Sequence, residues 1–435
     1  MRRFFTYCAM AYLVIYAFEG AIRYGLHLAG ADDLILLRDA LIFVPLVVLL
    51  VYQGFHGKVH PAFFAFAVIV ALHGAISTFN FHTTLPAIYG AKLLLPVLFG
   101  FIAAPELVQP DRNMLRLLAL IWIATIIGLM LDKYVLSFPW MGMTTHIGGI
   151  SVDVSRGWDI DSGPDKRVAG FTRSSIAAAM MLPCITLILA LHIRRYLLRM
   201  LFLFVTVWAV FLTTQKGSVL AIAAVALVFA APEVMRYRLL CWTAAAFALL
   251  DIILPLFTAG LLVVDSGGVF SFASFAMRIS DTWPDAWRWI INNQVFPFGV
   301  GLGGIGGAQR FFAENFFNPS DNLFIFIYAN FGLFCLLYLG WALWQAFRQP
   351  PETRAAAVVP VAILAFSLGY GAALSMLEDQ MSELFFGASV GMLWVLYRQA
   401  TARSWSDAYH GTPAQVPDDL HYQPVHVGHT MLEQP

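Results

Sequence analysis

The sequence predicts an all-α, polytopic integral membrane protein with about twelve transmembrane helices, and three observations carry that prediction. Of 435 residues, 60% are hydrophobic and only 12% are charged, against about a quarter charged in soluble domains. A single soluble domain of this length would have to hide more apolar surface than its volume allows. Apolar stretches close to the ~20 residues that a helix needs to cross a bilayer recur along the whole chain, as they must where every backbone polar group has to be satisfied internally. Aromatic residues, at 15%, supply interfacial anchors.

The stretches fall at about 4–24, 34–53, 60–80, 84–103, 114–132, 172–192, 197–213, 218–233, 238–258, 322–347, 355–375 and 383–398. Those at 197–213 and 218–233 are short for a full crossing. Glu19, Arg23 and Tyr24 stand where a signal peptide would need a small-residue cleavage site, so the first stretch reads as a retained span. Twelve spans place both termini on one side, and the positive-inside rule makes that side cytoplasmic. The inner loops then hold Arg2, Arg3, Lys58, Arg112, Arg116, Arg194, Arg195, Arg199, Arg236, Arg238, Arg348, Arg354, Arg398 and Arg403.

Two long segments, 133–171 and 259–321, lie on the outer side and are long enough to hold structure of their own. They gather Lys133, Arg156, Lys166, Arg167 and Arg173 in and just after the first, and Arg278, Arg288 and Arg310 in the second. Residues 399–435, with His410, His421, His426 and His429, read as a polar, disordered cytoplasmic tail. Cys8, Cys184, Cys241 and Cys335 all sit in apolar stretches, which leaves no disulfide framework and no paired metal spacing. A formal net charge of zero gives no bulk attraction to nucleic acid.

Arginine grips phosphate with a permanently charged planar fork, and the low dielectric beside a bilayer strengthens such pairs. Arg167 and Arg278 are the foremost candidates, with pairing to Asp161, Asp165 or Asp281, or to lipid head groups, as the alternative. Lys216, in the turn Thr213-Thr214-Gln215-Lys216-Gly217-Ser218, offers a further cation or merely a snorkelling interfacial lysine. The run Phe296 to Gly304 is a glycine-rich loop that would let backbone approach a ligand closely, and it lacks the strand and the lysine of a nucleotide-binding loop. Within the spans, Lys92, Arg38, Asp39 and His73 are costly in hydrocarbon unless paired or hydrated. An Asp39–Lys92 pair is one account of them and a proton or ion pathway another. Asp321, before Asn322, could take a proton from a sugar hydroxyl, or it or Ser320 could simply cap the next helix. No serine-nucleophile elbow, HExxH or paired-cysteine zinc motif occurs, and Asp159-Ile160-Asp161 is isolated, so the expectation is chemistry without metal or cofactor.

Three segments in order resemble the O-antigen ligase and polymerase superfamily, the Wzy-type polymerases and their WaaL-type relatives. Arg167-Val168-Ala169-Gly170-Phe171 is similar to that family's R-x-x-G-(x)-F element, and Gln215-Lys216-Gly217 stands where the family often has Ser-Arg-Gly. The most specific part runs from Arg278 through Trp283, Trp287 and Phe296-Pro297-Phe298-Gly299-Val300-Gly301 to Asp321-Asn322-Leu323 and Asn330-Phe331-Gly332-Leu333. The resemblance implies a membrane glycosyltransferase of the GT-C type in the bacterial inner membrane. Its donor would be a glycan on undecaprenyl pyrophosphate, released as lipid pyrophosphate. Arg167 and Arg278 would hold that group, Lys216 would add to the field, and Asp321 would orient or deprotonate the acceptor hydroxyl. Arg173, Arg288 and Lys92 are the further candidates for contact with pyrophosphate or glycan. Ligase-type members carry histidine at the position of Asp321, so its loss points towards polymerisation and leaves the base open. The implied partners are the lipid-linked oligosaccharide, membrane lipids, a chain-length regulator and a flippase. The first reading is a polymerase of exopolysaccharide or O-antigen repeat units, with the xanthan-type polymerases as one home. A ligase with the same chemistry and a flippase or other transporter are the rivals.

Overall fold

The computed structural model describes residues 2–147, 150–155, 167–256, 273–313 and 316–409. All twelve apolar stretches are helical. The first is divided into α1 (Arg2–Ala17) and α2 (Glu19–Leu28), which meet at 78° across Phe18. Then follow α3 (Leu37–Phe55), α4 (Pro61–Phe81), α5 (Leu85–Ile102), the short α6 (Ala104–Val108) and α7 (Arg112–Tyr134). The middle of the chain forms α8 (Ser175–Ala190), α9 (Tyr196–Leu212), α10 (Lys216–Ala230) and α11 (Glu233–Ile253). The last part holds α12 (Ala273–Met277), α13 (Trp283–Asn293), α14 (Leu323–Phe331), α15 (Phe334–Phe347), α16 (Arg354–Gly371) and α17 (Gln380–Tyr409).

The protein is thus a helical, membrane-embedded bundle, but its helices support fewer crossings than the twelve expected. Six helical stretches are long and apolar enough to span: Asp32–Phe55, Pro61–Phe81, Leu85–Ile102, Arg112–Tyr134, Glu233–Leu256 and Pro351–Gly371, with the bent pair α1–α2 as a seventh. For α8, α9, α10 and α15 the shortfall is one of length, whereas α17, at 30 residues, is long but not apolar enough. At 1.5 Å per residue, the 16 residues of α8 and the 14 of α15 reach less than the ~30 Å of a hydrocarbon core. The 322–347 stretch is broken at Gly332, whose φ of +57° ends α14 after nine residues.

Both long segments carry structure. The first holds the one departure from an all-α chain among the described residues, an antiparallel hairpin of β1 (Thr144–Ile147) and β2 (Ile150–Asp153). Arg156, Lys166 and the acids Asp159, Asp161 and Asp165 lie outside the described residues. The second holds α12, α13 and, between them, a five-residue π-helical segment, Arg278–Thr282. The expected tail begins later than 399, because α17 continues to Tyr409. The rest of it, 410–435, lies outside the described residues.

At the centre stands α16, flanked by α11, α17, α10 and α8. Its apolar window is 83% buried, against 22–39% for the other spanning helices. Beside it, α17 lies against α5 at backbone contact. A Cβ at Gly387 would strike the carbonyl of Val97, one at Gly391 that of Phe101, and one at Gly100 that of Leu384. With no room for the neighbour to yield, Gly387→Ala should lower the Tm of the detergent-purified protein by an amount equivalent to about 1–3 kcal/mol. Gly340→Ala, whose added methyl meets nothing within 4 Å, should not lower it.

Candidate functional site

The site is built where the second long segment returns to the bundle. Arg278 opens the π-helical segment, and its Nε donates to Asp321 Oδ2 at 3.1 Å, with the two side chains 20% and 25% exposed. Among the described residues its two Nη groups make no hydrogen bond. Asp321 and Ser320 both adopt left-handed backbone, with φ of +42° and +56°, a conformation that costs about 1–3 kcal/mol at a non-glycine residue and persists only where surroundings fix it. The fixing contacts are explicit. The amide of Asp321 donates to the carbonyl of Pro319 (2.7 Å), and that of Ser320 to Asn318 Oδ1 (2.7 Å). Asn318 Nδ2 in turn donates to the carbonyl of Thr282 (2.9 Å), the last residue of the π-helical segment. One asparagine therefore ties Arg278's segment to Asp321's turn.

The helix that follows is capped by Asn322, not by Asp321 or Ser320. Asn322 Oδ1 accepts from the amide of Ile325 (3.0 Å), and its Nδ2 faces the carbonyls of Asp251 (3.2 Å) and Ala372 (3.4 Å). Capping leaves Asp321 unexplained; it pairs with Arg278, which takes this carboxylate rather than the Asp281 that sequence proximity offered it. Arg288 is on the surface, 74% exposed and paired with Asp285 (2.5 Å) three residues before it.

Arg167 reaches the same region from the first segment. The amides of Ala169 and Gly170 both donate to Asp132 Oδ2 (3.0 Å each), which fastens the segment after Arg167 to the end of α7. Gly170, at φ +60°, lies so close to Gly128 of α7 that a Cβ would meet its carbonyl carbon at 2.8 Å. Ser174 then caps α8 at the amide of Ala177 (3.2 Å), with Arg173 beside it. The buried hydroxyl of Tyr370, near the end of α16, donates to Gln215 Oε1 (3.3 Å), and Gln215 Nε2 donates to Ser175 Oγ (3.0 Å). Tyr370 lies within electrostatic range of Arg278, Asp321, Arg167 and Asp379 at once, and Lys216 opens α10 next to Gln215. Three of the expected residues thus lie within electrostatic range of Tyr370, two of them, Arg278 and Asp321, in contact with each other.

A second charged network adjoins them, and its central residue was not read as functional. Glu19 Oε1 accepts from Arg23 Nε and Nη2 (2.7 Å each) and from Arg38 Nη1 (2.7 Å), with Arg173 within electrostatic range. Arg38 also touches Asp39 (3.2 Å), and Lys92 Nζ pairs with Asp39 Oδ2 at 2.7 Å. The Asp39–Lys92 pairing is the account of those residues that the structure bears out. Gln380 joins through its amide to Asp39 (3.2 Å), while Asp379 next to it accepts from the hydroxyl of Tyr16 and from the amide of Ser382 (3.1 Å). Burial pushes the Asp379 carboxyl above its ordinary range, and these hydrogen bonds act in the opposite direction. The only sequence signal was Glu19 and Arg23 four apart, which is also an ordinary helix-surface pair.

Two other candidates have structural roles. His73 is fully buried among Phe331, Phe334 and Tyr338, with Nε2 3.1 Å from the Tyr338 hydroxyl. The glycine-rich loop brings backbone close to helices rather than to an open surface. Cβ atoms at Gly301 and Gly303 would strike the backbone of Ser77 and Pro86, while Leu302 N donates to the His73 carbonyl (2.9 Å) and Gly303 N to Asn330 Oδ1 (2.6 Å). Among the described residues no group of three or more His, Cys, Asp or Glu side chains is placed to hold a metal ion. No protein-family model, curated protein or solved structure matches the chain.

Breaking a buried pair by removing one member strands the other charge, at a cost of about 3–5 kcal/mol. Glu19→Gln should therefore destabilise the protein by that order, read as a large fall in Tm, because Arg23 and Arg38 are both buried around Glu19.

Proposed function

We propose that the protein is a membrane glycosyltransferase that polymerises lipid-linked oligosaccharide repeat units, with undecaprenyl pyrophosphate as leaving group. The observation that supports this most is the Arg278–Asp321 ion pair, with Arg167 within electrostatic range of the same buried Tyr370. Two guanidiniums and one carboxylate are the groups such a transfer needs. The arginines neutralise charge that grows on a departing diphosphate, and the carboxylate takes the proton of the attacking sugar hydroxyl. Lys216, next to Gln215, adds positive charge nearby, and Arg173 lies within electrostatic range of Glu19. The polymerase is preferred to a ligase because Asp321 stands where ligase-type relatives carry histidine.

The proposed topology has twelve passes in a bacterial inner membrane, counting α8, α9, α10 and the α14–α15 pair as short crossings and α17 as the last, with both termini in the cytoplasm. Support comes from the opposite end of the bundle, where Arg236, Arg348, Arg354 and Arg398 lie over the rings of Phe229, Tyr397, Tyr237 and Trp394. Arginines anchored on interfacial aromatics suit a cytoplasmic face. The Arg278 site then faces outward, where lipid-linked repeat units are presented.

The test is reconstitution of the full chain with undecaprenyl-pyrophosphate-linked oligosaccharide, without nucleotide sugars. Longer glycans and free lipid pyrophosphate are expected. Arg278→Ala and Arg167→Ala should each cut polymer formation by about 10²-fold or more at unchanged protein level. Lysine at either position should restore little, because the planar fork is lost. Full-length polymer from both alanine variants would end this reading.

A further inference from the structure

The candidate base and the foremost candidate clamp neutralise each other. Nothing else among the described residues satisfies the Asp321 carboxylate, and its one hydrogen bond comes from Arg278 Nε. A donor diphosphate that takes the Arg278 guanidinium must compete with that carboxylate. Asp321 cannot follow the arginine, because its left-handed turn is held by Asn318, Pro319 and Asn322. Arg278 sits at the end of a longer, flexible side chain, and its Nη groups remain available to the incoming anion. The pair is also partly open, at 20% and 25% exposure, so ligand can reach it.

We infer that Asp321 is a latched base: donor diphosphate displaces it from Arg278, and only then is it available to deprotonate the acceptor. The inference rests on the transfer proposed above and adds an order to it, donor before acceptor activation. The step balances without a further reagent. The acceptor hydroxyl oxygen forms a bond to the anomeric carbon as its proton passes to Asp321. The bond from that carbon to the phosphate oxygen breaks, and its electron pair leaves on the diphosphate, held by Arg278 and Arg167. Departure of lipid diphosphate frees Arg278 to pair again with Asp321 once the proton has gone to water. A latch of this kind keeps an activated acceptor, or an activated water, from forming where no donor is bound.

The experiment measures binding of undecaprenyl diphosphate to the full chain in detergent, alongside polymer formation, for wild type, Asp321→Asn and Asp321→Gly. The glycine variant guards against misfolding, since φ +42° is unstrained for glycine. Removing the competing carboxylate should tighten binding about threefold or more while polymer formation falls by about 10²-fold. Equal or weaker binding in both variants overturns the latch, and so does tighter binding with undiminished polymer. Absence of binding by all three proteins sinks the proposed function, and the latch with it.

Discussion

An amide or carbonyl left without a partner in hydrocarbon costs several kcal/mol, and that constraint decides where this chain can be irregular. The π-helical segment and the left-handed turn at Ser320 and Asp321 are tied together through Asn318, and the glycine-rich loop is packed against α4, α5 and α14. Side-chain amides take several of their backbone groups. Asn318 takes the carbonyl of Thr282, Asn322 faces those of Asp251 and Ala372, and Asn330 takes the amide of Gly303. Three asparagines on one stretch thus do for unusual backbone what a ladder of i to i−4 bonds does for a helix. Strained conformations at the site persist because this polar scaffold leaves them no lower alternative.

The charged groups obey the same economy of partners. Glu19 collects Arg23 and Arg38 where the first helix turns through 78°, so the break is secured by ion pairs rather than by loop length. Asp39 passes the network on to Lys92 and Gln380. The bend, the start of α5 and the start of α17 are thereby coupled to one another next to the site. Such a network contributes little net stability over an apolar core, but it fixes a unique arrangement of the helices that carry it.

Every apolar stretch located by hydropathy is helical, because a run of apolar residues near 20 has one satisfactory backbone solution in lipid, whereas α6, α12 and α13 lie outside those stretches. Hydropathy showed neither the break at Phe18 nor that at Gly332, and six or seven of the twelve stretches are long and apolar enough to be full crossings. Arg167 and Arg278 were legible from residue type and position in the long segments. The pairing of Arg278 with Asp321 was not, because 43 residues separate them and the intervening chain folds back through α13 and the glycine-rich loop. Asn318 and Glu19 carried no signal of their own. An asparagine that holds a turn and a glutamate that holds a bend are ordinary residues until tertiary contacts assign them partners. The glycines misled in the opposite sense, since sparse side chains fit a helix contact as well as a ligand.

Tyr370 belongs to α16, and among the helices long enough to span α16 is the most covered by protein, over 83% of its apolar window. Membranes vary in thickness by a few ångströms, and proteins accommodate the mismatch by tilting the helices in contact with acyl chains. Here those are the outer members of the bundle. The helix at the centre of the site is insulated from that adjustment, so the spacing of the groups around Tyr370 should be indifferent to the bilayer that surrounds the protein.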